Sequence, residues 1–350
     1  MTSKKSNIIR VGISMGDCNG VGPEIILKTF SDPRMFEKTT PVVYGHIDVL
    51  KFYKNELEIR DDFFNLVENA DEARPRKLNI VNAGNPPKVA PGKPDKKAGN
   101  LAFESLKALT DDLASNRLDV IVTAPIDKDT IQNEEFNFPG HTEYLAKMSN
   151  VDECLMLLMT DYLKVGVVTS HIPIKEVPAA ITKEAIILKT SLLIESLNKD
   201  FGINKPKIAI LGLNPHAGDN GLLGTEEKEI INPAIRELKD KGNLVFGSYS
   251  ADGFFGSDTF KKFDGIIAMY HDQGLIPFKA LAFNEGVNYT AGLPIIRTSP
   301  DHGTAYSIAG TGAADETSFR TAIFQACQIS ASRSRIKEMN SNPLESQKVK

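Results

Sequence analysis

Apolar and polar positions along this chain alternate in two rhythms. Short runs rich in Val and Ile, apolar at successive positions, occur at 8–14 (IIRVGIS), 41–45 (PVVYG), 78–82 (LNIVN), 119–125 (DVIVTAP), 164–170 (KVGVVTS), 207–213 (KIAILGL) and 264–270 (DGIIAMY). Such runs read as strands buried on both faces, the habit of parallel sheets. Between them the spacing turns helical. Residues 100–115 set Leu101, Leu106, Leu109 and Leu113 on one face, and 183–201 do likewise with Thr182 placed to cap. Residues 226–242 start acidic, end basic and stop at Gly242, as a helix dipole and a glycine C-terminus prefer. The alternation predicts an α/β protein with a parallel sheet.

Composition narrows the function classes. The 350 residues are 41% apolar and 25% charged, ordinary for a globular protein and unlike a disordered one. The length suits one large domain or two medium ones. A net charge of −4 argues against a general nucleic-acid binder, which needs a basic face. Cys18, Cys154 and Cys327 are widely spaced and form no CxxC, a pattern that fits a reduced, cytoplasmic protein. No apolar run of signal-peptide length comes after the basic start, and CLMLLM (154–159) is too short to span a bilayer. Residues 84–100, rich in Gly, Pro and Lys, read as a surface loop, and periodicity fades after Met339.

Ligands of open α/β sheets bind at the carboxyl ends of the strands, so the residues just past each run carry the most information about function. After 8–14 comes MGDCNGVGPE, whose glycines match neither the Rossmann nor the Walker spacing; a plain strand-to-helix turn explains it equally well. After 119–125 comes FPGHTE, where His141 and Thr142 suit a phosphate or carboxylate, although Thr142 also reads as a helix N-cap. His171, His216 and His271 each come directly after a strand. Any one alone reads as a structural histidine. Three at equivalent strand ends share one sheet edge, where neutral imidazoles suit Zn²⁺ or another borderline metal. Asp252 and Asp272 suit the orienting of ligands or the role of bases, and equally the chemistry of turns and caps. Lys279, Asn288 and Arg297 then recur at nine-residue intervals in an apolar stretch, a cation, an amide and a guanidinium that suit an anionic, phosphorylated substrate or simply stand at the surface. Asp301, His302, Gly303, Thr304 and Ala305 open a Gly- and Ala-rich segment able to approach a nucleotide or simply to loop.

Taken together, FPGHTEYL, TSHIPI, GLNPHAGDNGLLGTEE, MYHDQGL and GVNYTAGLPIIRTSPDHGTA resemble the 4-hydroxythreonine-4-phosphate dehydrogenase family of pyridoxal phosphate biosynthesis, the PdxA family. The resemblance runs over nearly the whole chain. The DHGTA block is also similar to the adenine-binding loop of isocitrate and isopropylmalate dehydrogenases. The resemblance implies a fold of two α/β/α subdomains around a central cleft, drawn here as 1–126 plus 283–335 and 127–282, with 340–350 as a frayed tail. It implies that His171, His216 and His271 bind one divalent metal (Zn, with Mg or Co as alternatives) in a homodimer whose subunits share the site. It implies that His141, Thr142, Lys279, Asn288 and Arg297 hold a phosphorylated hydroxy amino acid, that 301–305 meet NAD or NADP, and that Lys279 or Asp252 moves the proton. Cys18-Asn19 and Gly253 depart from the family's usual Pro-Ala and Thr.

The implied reaction is oxidation of 4-phosphohydroxy-L-threonine at its 3-hydroxyl, giving a β-keto acid that loses CO₂ to leave 3-amino-2-oxopropyl phosphate. Beside it stand two rival reactions and a third reading, a non-catalytic binding module, which would make every polar strand end a coincidence. One rival is a paralogous dehydrogenase of 4-phospho-threonate or erythronate. The other is a three-histidine zinc hydrolase, against which the DHGTA block and the lack of a Glu base beside the histidines both count. No nucleic acid or membrane partner is expected.

Overall fold

The computed structural model describes residues 8–60, 63–282 and 285–341. The chain forms two compact units, each built from two stretches: Met1–Glu153 with Ala282–Ala326, and Cys154–Leu281 with Cys327–Lys350. In the first, the chain runs β1 (Ile9–Ser14), α1 (Gly22–Phe30), β2 (Thr39–Gly45), α2 (Ile47–Glu56), β3 (Phe64–Val67), β4 (Leu78–Asn82), α3 (Lys96–Ala114), β5 (Val120–Thr123) and α4 (His141–Met148). The second holds β6 (Leu155–Met159), β7 (Lys164–Thr169), α5 (Val177–Ala180), α6 (Lys183–Lys199), β8 (Lys207–Leu211), α7 (Asn232–Asp240), β9 (Leu244–Tyr249), α8 (Ala251–Phe255), β10 (Gly265–Tyr270) and α9 (His271–Ala282). The chain then adds β11 (Val287–Ala291) and β12 (Arg297–Pro300) to the first unit and ends in α10 (Thr317–Ser341).

Strands of the first unit lie in the order β3-β4-β2-β1-β5-β12-β11, all parallel except β11, which runs antiparallel to β12. Those of the second lie in the order β6-β7-β10-β8-β9, with only β6 antiparallel. The α/β reading therefore holds, and all seven Val/Ile-rich runs are strands, with Val11, Ile13, Val42, Ile121, Val165, Ile208 and Ile267 fully buried. Apolar residues on both faces leave such strands no solvent side, which fixes their place in the middle of a layered unit.

Several helix ends can be traced to single residues. Asp95 accepts from the Lys97 amide at 2.9 Å, so α3 starts four residues before the apolar pattern does. Thr182 caps α6 through the Ala185 amide at 3.1 Å, as expected. Gly242 lies just past α7 with φ +85°. The helix expected over 226–242 is regular only from Asn232; Glu227–Ile231 forms a wider π turn. Pro233 supplies the reason, since it has no N–H to close the usual four-residue bond. Thr142 is no cap: Gly140 holds that place without a side-chain bond, and Thr142 lies inside the first turn of α4.

The units divide differently from the sequence expectation. Residues 127–153 stay with the first unit rather than leaving it after 126, because Phe136 and Tyr144 pack against Phe103 of α3 with ring centroids 5.9 and 6.4 Å apart. From Cys327 onward α10 belongs with the second unit, where Arg333 Nε meets the buried carboxylate of Asp200 at 2.7 Å. The expected tail, 340–350, lies from 342 on outside the described residues.

Candidate active site

In the first unit, β5, β12 and α4 carry a buried polar group of residues. Arg297, on β12, is 3% exposed. Its Nε and Nη2 donate to Thr123 Oγ1 on β5 at 3.0 and 2.7 Å, and Nη1 donates to Thr290 Oγ1 on β11 at 3.3 Å. A guanidinium held by hydroxyls keeps its full positive charge and a fixed direction. His141, the first residue of α4, is buried, and its Nε2 has no partner among the described residues. Burial, then the charges of Arg297 and Lys128, hold the imidazole pKa well below its usual value, so the ring is neutral. Asn288 Oδ1, on β11, is likewise buried with no partner among the described residues. Orphaned buried polar atoms are costly unless something binds them, and here they accompany a buried cation. An anion with its own hydrogen-bonding groups fits.

The first loop turns out to be a hub, which the failed glycine motif concealed. Gly16 has φ +73°, and a Cβ there would lie 2.3 Å from the Pro125 carbonyl, so only glycine lets the loop pass so close to the end of β5. Asp17 is fully buried and accepts from the Tyr306 hydroxyl at 2.7 Å. Burial pushes its carboxyl above the usual range, and burial with the Asp17 charge keeps the Tyr306 phenol protonated as the donor. Asn19 accepts from the Ala90 amide at 2.8 Å and donates to the Lys93 carbonyl at 2.9 Å, tying down the 84–100 loop. Glu24, fully buried on α1, accepts from the Gly310 and Ala314 amides at 3.2 and 3.0 Å. Lys28 meets Glu24 at 3.0 Å and donates to the Gly312 and Ala314 carbonyls, both at 2.6 Å. Thus α1 shapes the segment 301–314. In that segment the Thr304 carbonyl accepts from the Val21 amide at 3.0 Å, and the Asp301 amide donates to Ser318 Oγ at 3.1 Å. Ala305 is left-handed at φ +44°, and among the described residues nothing lies within 4 Å of a Cβ placed on Gly303. His302 Nε2 is buried without a partner among the described residues. Open backbone beside an orphaned imidazole nitrogen fits a bound nucleotide. Asp17, Asn19, Glu24, Lys28 and Tyr306 were missed from sequence; the available signal was acids and an amide inside a glycine turn, which when buried must find donors.

In the second unit, His171, His271 and His216 come after β7, β10 and β8, three adjacent parallel strands. Thr169 Oγ1 donates to the Met269 carbonyl at 2.9 Å, and Gln273 donates to the Gly212 carbonyl at 2.6 Å while accepting from the Met269 amide at 2.7 Å. These bonds lock the three strand ends together. The His171 and His271 rings lie 5.8 Å apart. His271 Nδ1 pairs with Asp272 Oδ1 at 2.7 Å, the arrangement seen when a carboxylate orients a ligating imidazole through its other nitrogen. His216 is exposed on a turn and borders, with Asn214, Asp252, Tyr270 and Asp272, a groove of about 540 Å³. Among the described residues of this one chain, no three His, Cys, Asp or Glu side chains are grouped to hold a metal ion. The donor set itself, imidazoles with one backed by a carboxylate, suits Zn²⁺ or Co²⁺. Ser250 bonds Asp252 and, ahead of the Gly253 amide and the His216 charge, holds its carboxyl below the usual range. Lys279 is exposed on α9.

His216 sits on an unusual backbone. Residues 216–220 have φ of 52, 52, 81, 41 and 57°, five consecutive left-handed positions with one glycine among them. Each non-glycine residue there costs on the order of 1 kcal/mol, so surrounding contacts must enforce the turn.

Comparison with known proteins gives this fold a family. The sequence model described as pyridoxal phosphate biosynthetic protein PdxA matches residues 37–326. A 4-hydroxythreonine-4-phosphate dehydrogenase from Bacteroides thetaiotaomicron is 52% identical over 345 residues, 98% of this chain and 94% of that one. The crystal structure of a protein of the same name from Klebsiella pneumoniae superposes with TM-score 0.82 at 35% identity, covering 93% of this chain and 99% of that one. A terephthalate 1,2-cis-dihydrodiol dehydrogenase from Burkholderia xenovorans superposes with TM-score 0.60 at 26% identity, covering 91% and 98%. None of these supports the zinc-hydrolase reading. With a matching family model over most of its length and a relative at 52% identity along almost all of it, the chain belongs to the PdxA family.

Proposed function

We propose that the protein is an NAD(P)- and divalent-metal-dependent 4-hydroxythreonine-4-phosphate dehydrogenase that oxidises and decarboxylates 4-phosphohydroxy-L-threonine. The observation that carries this reading is the near full-length similarity to a relative bearing that name; the geometry agrees with it. Arg297 supplies a fixed, permanent positive charge for the phosphate. Neutral His141 adds a hydrogen bond through Nε2 without adding charge, and Thr142, in the same helical turn, adds a hydroxyl. Asn288 Oδ1 offers an acceptor for a substrate N–H or O–H. Lys279 and Asp252 are the candidates to take the proton of the 3-hydroxyl and return one to carbon after CO₂ leaves. Residues 301–305, tied to the Val21 amide and to Ser318, would hold the dinucleotide. His171, His216 and His271 would hold the metal, with a second copy of the chain completing the site in a homodimer. When bound, the metal supplies Lewis acidity at the substrate oxygens, and the nicotinamide accepts the hydride.

The test is turnover of purified protein with 4-phosphohydroxy-L-threonine, NAD⁺ or NADP⁺, and Zn²⁺, Co²⁺ or Mg²⁺, monitored by NAD(P)H absorbance. Activity that vanishes on chelation and returns with metal supports the reading. A higher kcat/KM on 4-phospho-threonate or erythronate assigns the protein to the paralogous reaction instead.

A further inference from the structure

The left-handed turn that carries His216 needs an enforcer, and the contacts identify one. Glu227, at the start of the π turn, is only 3% exposed. Its Oε1 accepts from the Leu213 and Asn214 amides, both at 2.7 Å, and its Oε2 accepts from Asn214 Nδ2 at 3.0 Å. Glu226 takes the same Asn214 side-chain amide at 2.7 Å. The Asn214 carbonyl in turn accepts from the Ala217 amide at 3.1 Å, closing the turn around His216. Space is equally committed: a Cβ on Gly218 would lie 2.6 Å from Glu227 Oε2, and one on Gly212 would lie 3.0 Å from Oε1. A buried carboxylate thus satisfies the donors entering the turn and fills the room that only glycine leaves.

We propose that Glu227 is a positioning residue that fixes residues 214–218 and thereby the imidazole of His216 for metal binding. The inference rests on the reading of His216 as a ligand. It adds that the third imidazole is set by a carboxylate eleven positions on in the sequence, not by its own exposed turn.

The experiment titrates Co²⁺ into full-length protein stripped of metal, for wild type, His216→Ala, Glu227→Ala, Glu227→Gln and Gly218→Ala, alongside the metal-free thermal midpoint of each. Removing a group that orients a metal ligand costs roughly 10–100-fold in metal affinity. Glu227→Ala is expected to weaken Co²⁺ binding by about that factor. Glu227→Gln, which keeps the shape and one carbonyl acceptor, is expected to fold and to weaken Co²⁺ binding by a smaller but measurable factor of about 3–10; Gly218→Ala, which displaces the carboxylate, should resemble Glu227→Ala. If His216→Ala loses Co²⁺ binding while both Glu227 variants bind like wild type, the positioning role is overturned and the metal reading stands. If His216→Ala binds like wild type, both fall. Should Glu227→Ala fail to fold, Glu227→Gln decides: wild-type affinity in a folded Gln variant overturns the proposal. A lower thermal midpoint with unchanged Co²⁺ affinity also overturns it, because that is what a purely structural residue would show.

Discussion

The two units solve the problem of presenting polar groups in opposite ways. The first buries them: Arg297 is 3% exposed, tied to hydroxyls on two neighbouring strands, and its companions His141 and Asn288 keep orphaned atoms out of water. The second displays them: His171 and His216 are exposed, carried on segments just past the strands, and positioned by bonds among backbone groups, Gln273 and Glu227. A buried cation gains strength from low dielectric but commits the surrounding core to it. A displayed imidazole makes no such demand on the core and owes its precision to the shell behind it. Substitution of a displayed imidazole should therefore remove function and spare stability, and substitution in the buried group of the first unit should cost both.

The sharpest break of that contrast is His216→Ala. We expect loss of metal-dependent turnover by at least about a thousandfold, roughly 4 kcal/mol, with the metal-free thermal midpoint within about 2 °C of wild type by calorimetry. A destabilised but active variant would reverse the roles of the two units. Next comes Arg297→Ala. We expect kcat/KM to fall by at least about a hundredfold, near 3 kcal/mol, more for phosphorylated than for unphosphorylated substrate, together with a clear drop in thermal midpoint from the stranded Thr123 and Thr290 hydroxyls. An equal loss on both substrates would remove Arg297 from the phosphate.

Tyr306→Phe strips the buried Asp17 of its hydroxyl donor, a bond to a charged group worth about 1.5–3 kcal/mol. It should raise KM for the dinucleotide several-fold with little change in kcat, read by initial rates; an unchanged KM would show that the hub does not shape the 301–314 segment. The smallest effect is on pH. His141 is neutral when folded, with its pKa depressed by burial, whereas unfolded it titrates near 6.5. Below that value the unfolded chain binds the extra proton, so stability is full above about pH 6.5 and declines as pH falls, by up to about 1.4 kcal/mol per unit. His141→Gln should flatten that limb of the curve measured by denaturant unfolding.

How much of this was legible in the sequence depends on the range of the interaction. Strands buried on both faces and the caps Thr182 and Gly242 are short-range features, and they were readable. So was the logic that puts His171, His216 and His271 at one sheet edge, because it depends on strand direction alone. Strands β11 and β12 were not readable as strands, since VNYTA and RTSP carry polar groups that the core then uses. The hub was invisible because its bonds join residues far apart, Asp17 to Tyr306 across 289 positions and Glu24 to Ala314 across 290. The late departure of the chain from the first unit was hidden for a related reason: aromatic packing of Phe136 on Phe103 leaves no periodic trace.

The discontinuity of the first unit has a consequence for synthesis. Thr123 on β5 and the Arg297 it holds are 174 residues apart, and β12 fills the place beside β5. At about 5–20 residues per second, the ribosome leaves β5 without that neighbour for roughly 10–35 s after making it. During that interval Val120, Ile121 and Val122 form an unpartnered apolar edge, the kind of template on which nascent chains aggregate or recruit chaperones. A chain terminated anywhere before β12 keeps that edge for good, so premature stops across the whole second unit should yield insoluble fragments instead of a usable half.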